Sequence, residues 1–227
     1  MGSSAAAAIP AYGVSEAARY LRVAPATLRS WVAGRHYPSS GGDGFFAPLI
    51  APAAASPPQL SFENLIEAHV LRALRVRHDV PVRHVRTALA YAQNTLGIDR
   101  LLLSRELSAH AGEVLLEKYG QLVNLSRSGQ LALKHLFGAH LERVDWSERD
   151  IPVRLFPFGP PASGSGARVI AIDPCLRFGR PVVYRVGVST EAIAQRIDAG
   201  ESPGDVAQDY GLGPEEVATA VLFEQAA

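Results

Sequence analysis

VSEAARYLRVAPATLRSWVA, residues 14–33, decides how the rest of the chain is read. Ala17, Ala18 and Leu21 fall at i, i+1 and i+4, the narrow apolar face of a short helix. Ser15 is placed to cap that helix with its hydroxyl. Pro25 cannot continue it but suits the first turn of a second helix. Leu28, Trp31 and Val32 then form an inner face at i, i+3 and i+4. Two short helices crossing on small alanines and joined by a few residues describe a helix-turn-helix. The outward side of the second helix carries Thr27, Arg29 and Ser30. Arg19 and Arg22 lie upstream, and Arg35, His36 and Tyr37 lie just beyond. These eight residues are the candidate DNA contacts, because arginines hold phosphates and short polar side chains meet base edges. The same arginines could equally serve only to solvate a surface.

The charge distribution extends this reading. The 227 residues have a formal net charge of zero, but residues 1–105 hold eleven arginines against six acids, a net of +5. Residues 187–227 hold Arg196 against eight acids, a net of −7. A basic front and an acidic back predict different partners for the two ends. The single Cys175 excludes an intramolecular disulfide framework, and the seven histidines show no H-x-x-x-H or H-E-x-x-H spacing. The sequence contains no G-x-S-x-G, P-loop or zinc pattern, so neither catalysis nor a cofactor is expected. No apolar run reaches the ~18–20 residues that span a bilayer, and residues 1–8 lack the basic region of a signal peptide. The reading is a cytoplasmic protein with no membrane partner.

Working outward, residues 1–11 read as a disordered leader. Between 34 and 58, Phe45, Phe46, Leu49 and Ile50 predict a short strand that forms a wing, with the flexible SSGGDG of 39–44 at its tip. APAAASPP at 51–58 reads as a low-complexity connector. Ser61 opens a helix of about 17 residues starting at Phe62, and Pro81 opens another that runs to Gly97. From 98 to 158 the pattern changes to short strand-like runs (101–103, 114–116, 121–125, 143–146, 153–156) around a helix at 130–141. Glu142, Asp145, Glu148 and Asp150 are clustered acids that nothing in the sequence places on one face. GPPASGSG at 159–166 is the clearest linker. Beyond it come strands at 169–172 and 181–184, a bend at Gly187, and helices at 190–199, 203–210 and 214–224. Ser202 caps the second of these helices, and Val217, Val221 and Leu222 face inward on the third.

Two resemblances add to this. S-E-A-A-R-Y-L-R-V-A-P-A-T-L-R-S-W is similar to the opening of MerR-type and excisionase-type winged helix-turn-helix domains. That implies a DNA-reading second helix and a β-wing, with further phosphate contacts from Arg75, Arg77, Arg83 and Arg86. I-D-P-x-L-R-F-G-R-P-V-V, followed by S-T-E-x-I-A-x-R-I-D-A-G-E-S-P-x-D-V-A-x-D-Y-G-L-x-P-E-E-V-x-x-A, resembles a small prokaryotic domain first catalogued as of unknown function. Its members include antitoxins of VapB type that partner PIN-like ribonuclease toxins. LSFENLIEAHVLRAL and QLVNLSRSGQLAL also look like segments of the longer antitoxins of this kind. That family usually carries a Gly-Thr-Arg or Gly-Thr-Gly turn after the second strand, where this chain has Arg185-Val186-Gly187.

The combined expectation is a helix-rich α+β chain in three regions. A winged helix-turn-helix occupies 12–96, a small α/β module of unassigned role 97–158, and a unit of two strands plus three helices, itself helix-turn-helix-like, 167–227. The back is too acidic to bind a duplex, since affinity for DNA rests on neutralising phosphates. Arg177, Phe178 and Arg180, between the two strands, are the candidate toxin contacts, although the arginines could simply brace their loop. The resemblance implies an antitoxin and repressor whose partners are operator DNA, a PIN-like ribonuclease and a second copy of itself, as a homodimer or higher even oligomer. The alternative is a MerR-like regulator that responds to a small molecule without a toxin.

Overall fold

Ala7 is fully buried, so the chain is ordered almost from its start. The computed structural model describes residues 3–39, 42–78, 82–103, 143–157 and 168–225. The first element is a helix, α1 (Ser3–Ala8), in place of the expected disordered leader. Alanine is the strongest helix former, and a face without bulk lets the helix pack closely against its neighbours. β1 (Tyr12–Gly13) leads directly into α2 (Val14–Leu21) and, after a tight turn, α3 (Pro25–Ala33).

Ala17, Ala18, Leu21, Leu28, Trp31 and Val32 are all buried, which is the helix-turn-helix core read from the sequence. Ser15 is not the cap of α2. Gly13 holds that position with extended backbone and no side-chain hydrogen bond, and Ser15 lies one turn-position inside the helix, exposed. Strand pairing fixes the entry instead, because Tyr12 and Gly13 pair with Leu60 and Gln59.

A hairpin follows α3, made of β2 (Arg35–Ser39) and β3 (Gly42–Phe46), with Arg35 opposite Phe46 and His36 opposite Phe45. Leu49 and Ile50 do not continue that strand. Their amides donate to the Trp31 carbonyl at 2.7 and 3.1 Å, satisfying an acceptor near the open end of α3. The alanine- and proline-rich connector is also structured, as β4 (Ala54–Ala55) and β5 (Pro58–Leu60) beside β1. It is pinned by Asn64, one turn into α4 (Phe62–His78). The Asn64 Oδ1 accepts from the Ala53 and Ser61 amides, and its Nδ2 donates to the Ala51 carbonyl and to Glu67. Ser61 caps α4 as expected, its Oγ accepting from the Asn64 amide at 3.2 Å.

α5 (Val82–Tyr91) passes into one wide turn at Ala92–Leu96 and ends on Gly97. Leu101–Leu103 is a 3₁₀ turn, not a strand, and it buries Leu101 and Leu102 against the same core. Of the remaining middle-region expectations, the runs at 114–116 and 121–125 and the helix at 130–141 lie outside the described residues. β6 (Val144–Trp146) and β7 (Pro152–Leu155) pair as a hairpin.

Three strands, not two, follow: β8 (Ile170–Ala171), β9 (Val182–Val183) and β10 (Val188–Ser189), ordered β10-β9-β8. Leu155 and Ile172 exchange hydrogen bonds of 2.9 and 2.8 Å, so the β6–β7 hairpin adjoins the same sheet. α6 (Thr190–Asp198), α7 (Pro203–Tyr210) and α8 (Pro214–Gln225) complete the chain. Ser202 caps α7 as read, accepting from the Asp205 amide at 3.1 Å. Leu222 does not face inward. It is 56% exposed, and Val217, Ala220 and Phe223 form the buried stripe of α8. One continuous cluster of buried residues runs from Ala7 to Phe223 through both ends of the molecule.

Candidate functional site

The eight residues offered for DNA divide between two faces of the helix-turn-helix. On α3, Thr27 and Arg29 are exposed and Ser30 is half-buried, because Leu28, Trp31 and Val32 turn the opposite side inward. Arg35, His36 and Tyr37 stand on the hairpin. His36 packs on Phe45 with ring centroids 4.8 Å apart, while Tyr37 stacks on Phe46 at 4.1 Å and 22°. Thr27, Ser30 and Arg35 meet in one open groove with Phe46, Arg75 and Arg86, drawing its walls from α3, the hairpin, α4 and α5. Arg75 and Arg86, which the family resemblance offered as further phosphate contacts, thus stand in the same groove as three of the eight candidates. The side chains of Arg77 and Arg83 lie outside the described residues.

Arg19 and Arg22 go elsewhere. They project from the back of α2, where α8 docks. The Arg19 guanidinium pairs with Glu224, whose other oxygen accepts from the Thr190 hydroxyl. Burial works against the Arg19 cation, but Glu224 outweighs it and the net shift of its pKa is upward. Arg22 adopts the left-handed conformation that ends α2 and reaches the Leu222 carbonyl at 3.4 Å. Burial lowers its pKa. Sequence spacing placed both arginines near the recognition helix without saying which way they point.

The aromatic seam of this contact was not read from the sequence. Tyr20 stacks on Phe223 at 6.3 Å and meets Tyr12 edge-on at 6.3 Å, with its hydroxyl donating to Glu16 at 2.8 Å. The Tyr12 hydroxyl donates to the Gly179 carbonyl at 3.1 Å. Burial, followed by neighbouring oxygens, pushes both phenols well above their ordinary range, so they stay neutral donors. The sequence signal available was tyrosine at both i and i+8 of an otherwise alanine-lined helix entry.

Gly179 closes the turn that holds the candidate partner contacts. Arg177, Phe178 and Gly179 all have positive φ (48°, 56° and 77°), a left-handed run that is costly for the two side-chain-bearing residues. A Cβ on Gly179 would overlap the Tyr12 hydroxyl, so only glycine fits. The turn holds Phe178 94% exposed, with exposed Arg177 and Arg180 on either side. Arg180 reaches Glu191 at 3.4 Å across an exposed gap. Phe178 is thus a large apolar side chain displayed on a strained turn anchored to Tyr12.

The Arg185-Val186-Gly187 turn has its own structural role. Arg185 donates to both oxygens of Glu216 and to the Gly211 carbonyl, bracing the start of α8. Of the acids considered for a metal, Asp145 is held by Arg154 and Arg168, and Glu142 lies outside the described residues. Among the described residues no group of three His, Cys, Asp or Glu side chains could hold a metal ion, and no helix is long and apolar enough to cross a membrane.

Residues 10–89 match a family described as "Putative DNA-binding HTH domain", and residues 170–223 match one described as "Protein of unknown function (DUF433)". The chain is 29% identical to "Putative antitoxin VapB45" of Mycobacterium tuberculosis, over 94% of this chain and 93% of that protein. It is 24% identical to "Uncharacterized protein Rv2308" of the same organism, over 93% and 89%. The crystal structure of Rv2018 from M. tuberculosis superposes with a TM-score of 0.66 at 23% identity, covering 94% of this chain and 98% of that one. The fold is therefore that of Rv2018 along nearly its whole length, with a helix-turn-helix region of the DNA-binding kind at its front.

Proposed function

We propose that this chain is a non-enzymatic antitoxin that represses its own operon, its front binding operator DNA and its back neutralising a PIN-like ribonuclease. The observation that carries the reading is the pairing, in one molecule, of an exposed polar and basic α3 face with a separate, strained turn displaying Phe178 between two arginines. The likeness to an antitoxin over nearly the full length of both chains supports it.

Thr27, Arg29 and Ser30 read base edges, while Arg35, His36 and Tyr37 contact the backbone from the wing. Arg19 and Arg22, turned toward α8, act on DNA only if that contact opens. One recognition helix covers too few bases for a unique site, so the operator is bound by a two-fold dimer with half-sites about 34–36 Å apart, or multiples of that. At the other end Phe178 enters an apolar pocket of the toxin, and the guanidinium of Arg177 or Arg180 pairs with the carboxylates that hold its catalytic Mg²⁺.

The test purifies the protein encoded beside this gene and measures RNA cleavage by it, with the full chain or its Phe178→Ala variant added. The full chain should abolish cleavage. The variant should need a concentration higher by ~30-fold, the ~2 kcal/mol typical of a buried aromatic anchor. Equal inhibition by both would remove the turn from the interface, and no inhibition by the full chain would overturn the antitoxin reading.

One observation favours a second reading, a ligand-responsive regulator. A cavity of about 330 Å³ lies between α4, α5 and the Leu101–Leu103 turn, bounded by Leu49, Glu67, Leu89, Arg100 and Leu102, within the size range of small-molecule sites. Of the four charged residues that line it, Glu67, Arg86, Asp99 and Arg100, two already pair with each other, Arg100 with Glu67 at 2.8 Å, which leaves less for a ligand to bind.

A further inference from the structure

We propose that Phe46 is a positioning residue, its ring holding the guanidiniums of Arg35 and Arg86 together as one seat for a backbone phosphate of duplex DNA; this rests on the DNA-binding reading of α3 and its arginines. The motive is how these two cations are held. Arg19, Arg100, Arg154, Arg168, Arg180, Arg185 and Arg196 are each ion-paired to a carboxylate. Among the described residues Arg35 and Arg86 have no carboxylate partner, and each instead lies over the Phe46 ring. Their Cζ atoms are 5.9 and 5.6 Å from its centroid.

The two arginines arrive from unrelated elements. Arg35 stands opposite Phe46 in the hairpin register, and Arg86 reaches across from α5. The Arg86 Nε is buried without a hydrogen-bond partner, so the ring rather than a protein acceptor orients that side chain. A guanidinium held over a ring face instead of by a carboxylate keeps its N–H groups available for an anion. Partial burial of Arg86 strengthens any such contact, because the local dielectric is lower than in water.

Phe46 is itself fixed. Tyr37 stacks on it and lies across Gly44, where a Cβ would overlap the tyrosine ring. Tyr37 and the two cations thus occupy the surroundings of the Phe46 ring, which argues against a base stacking there and against a single-stranded ligand. Thr27 and Ser30 line the same groove. A duplex that receives α3 in its major groove therefore brings a backbone phosphate to this spot.

The experiment measures binding of the full chain to two labelled duplexes, the region upstream of its gene and an unrelated sequence, across a range of salt. The proteins are wild type, Phe46→Leu, Phe46→Tyr, Arg86→Ala and the Phe46→Leu/Arg86→Ala double variant. Phe46→Leu keeps apolar bulk and removes the ring face. It should weaken binding to both duplexes about three-fold, the scale of an exposed cation–π contact. It should also lower the salt slope by up to about one phosphate, while Phe46→Tyr should bind like wild type. The double variant should lose less than the product of the two single losses, a coupling that general loosening of the hairpin would not produce. Wild-type affinity and slope in Phe46→Leu, failure of Phe46→Tyr to restore binding, or strictly multiplicative losses would each overturn the seat. If the wild type binds neither duplex in a salt-dependent way, the DNA reading itself falls and takes the seat with it.

Discussion

The molecule contains two helix pairs of similar design and opposite chemistry. α2–α3 and α7–α8 each cross over a short turn, and each second helix begins on proline, Pro25 or Pro214. The outer face of α3 shows Thr27 and Arg29, backed by Arg35, Arg75 and Arg86 across the groove. The outer positions of α7 and α8 show Asp205, Asp209 and Glu215. Backbone geometry alone would make both pairs DNA readers. Charge separates them, since only the first can replace the counterions of a phosphate backbone. The acidic pair instead uses α8 as a brace, with Phe223 against Tyr20 and Glu224 against Arg19, behind the helix pair proposed to read DNA.

The strongest way to break this arrangement is Phe223→Ala. It removes a buried aromatic shared by both helix pairs and should cost about 3–5 kcal/mol. Urea unfolding should remain a single transition at a lower midpoint, because the buried cluster is continuous. Two separated transitions would show that the pairs fold independently. Next in size, Arg29→Ala should weaken operator binding by ~1–3 kcal/mol and relax preference at one base pair if Arg29 reads a base. If it holds a phosphate, all sequences should weaken alike and the salt slope should shrink by about one. Titrations at several salt concentrations decide between these outcomes.

The capping serines sharpen the comparison further. Ser202→Ala removes a side-chain acceptor from the first turn of α7 and should cost about 1 kcal/mol in thermal or urea unfolding. Ser15→Ala, at an exposed position inside α2, should be neutral or slightly stabilising through helix propensity. Equal losses at both would mean that Ser15 also caps. The smallest effect is electrostatic. Hydrogen bonds from Arg185 hold the Glu216 carboxyl below its ordinary range, and those from Arg196 do the same for Glu201. A depressed carboxylate pKa adds stability that is complete above the unfolded-state value, about 4.3, and is lost as pH falls through the folded one. Unfolding midpoints should therefore drop below about pH 4, and Arg185→Gln should flatten that acid limb slightly. An unchanged limb would place the acid sensitivity elsewhere.

The helix-turn-helix was legible because its signals are local. Burial of Leu28, Trp31 and Val32 follows from spacing, and the starts of α3, α4 and α7 follow from Pro25, Ser61 and Ser202. The misreadings share a different cause. Ser15 lost its capping role because β1 pairs with a strand some fifty residues away. The alanine-rich start and the APAAASPP connector, which composition made featureless, were ordered by α4, β7 and the Asn64 side chain. Leu222 was read inward because a helix stripe can be drawn through it, but Phe223 had the larger aromatic surface and a partner in Tyr20.

By itself the sequence determined where α2 to α8 lie, which stretch reads as a helix-turn-helix, and that the front is basic and the back acidic. These properties depend on residues a few positions apart or on simple composition. Only the tertiary structure decided where the charges are spent. Five of the eight acids in 187–227 pair with arginines, and three of those arginines, Arg19, Arg180 and Arg185, come from outside that segment. The back is thus less acidic than its composition. The structure also decided that Arg19 and Arg22 turn away from the α3 groove, that Arg75 and Arg86 turn into it, and that the Phe178 turn is anchored on Tyr12 of the opposite end. Each of these is a contact between elements distant in sequence, set by how the shared core packs, and no local pattern encodes it.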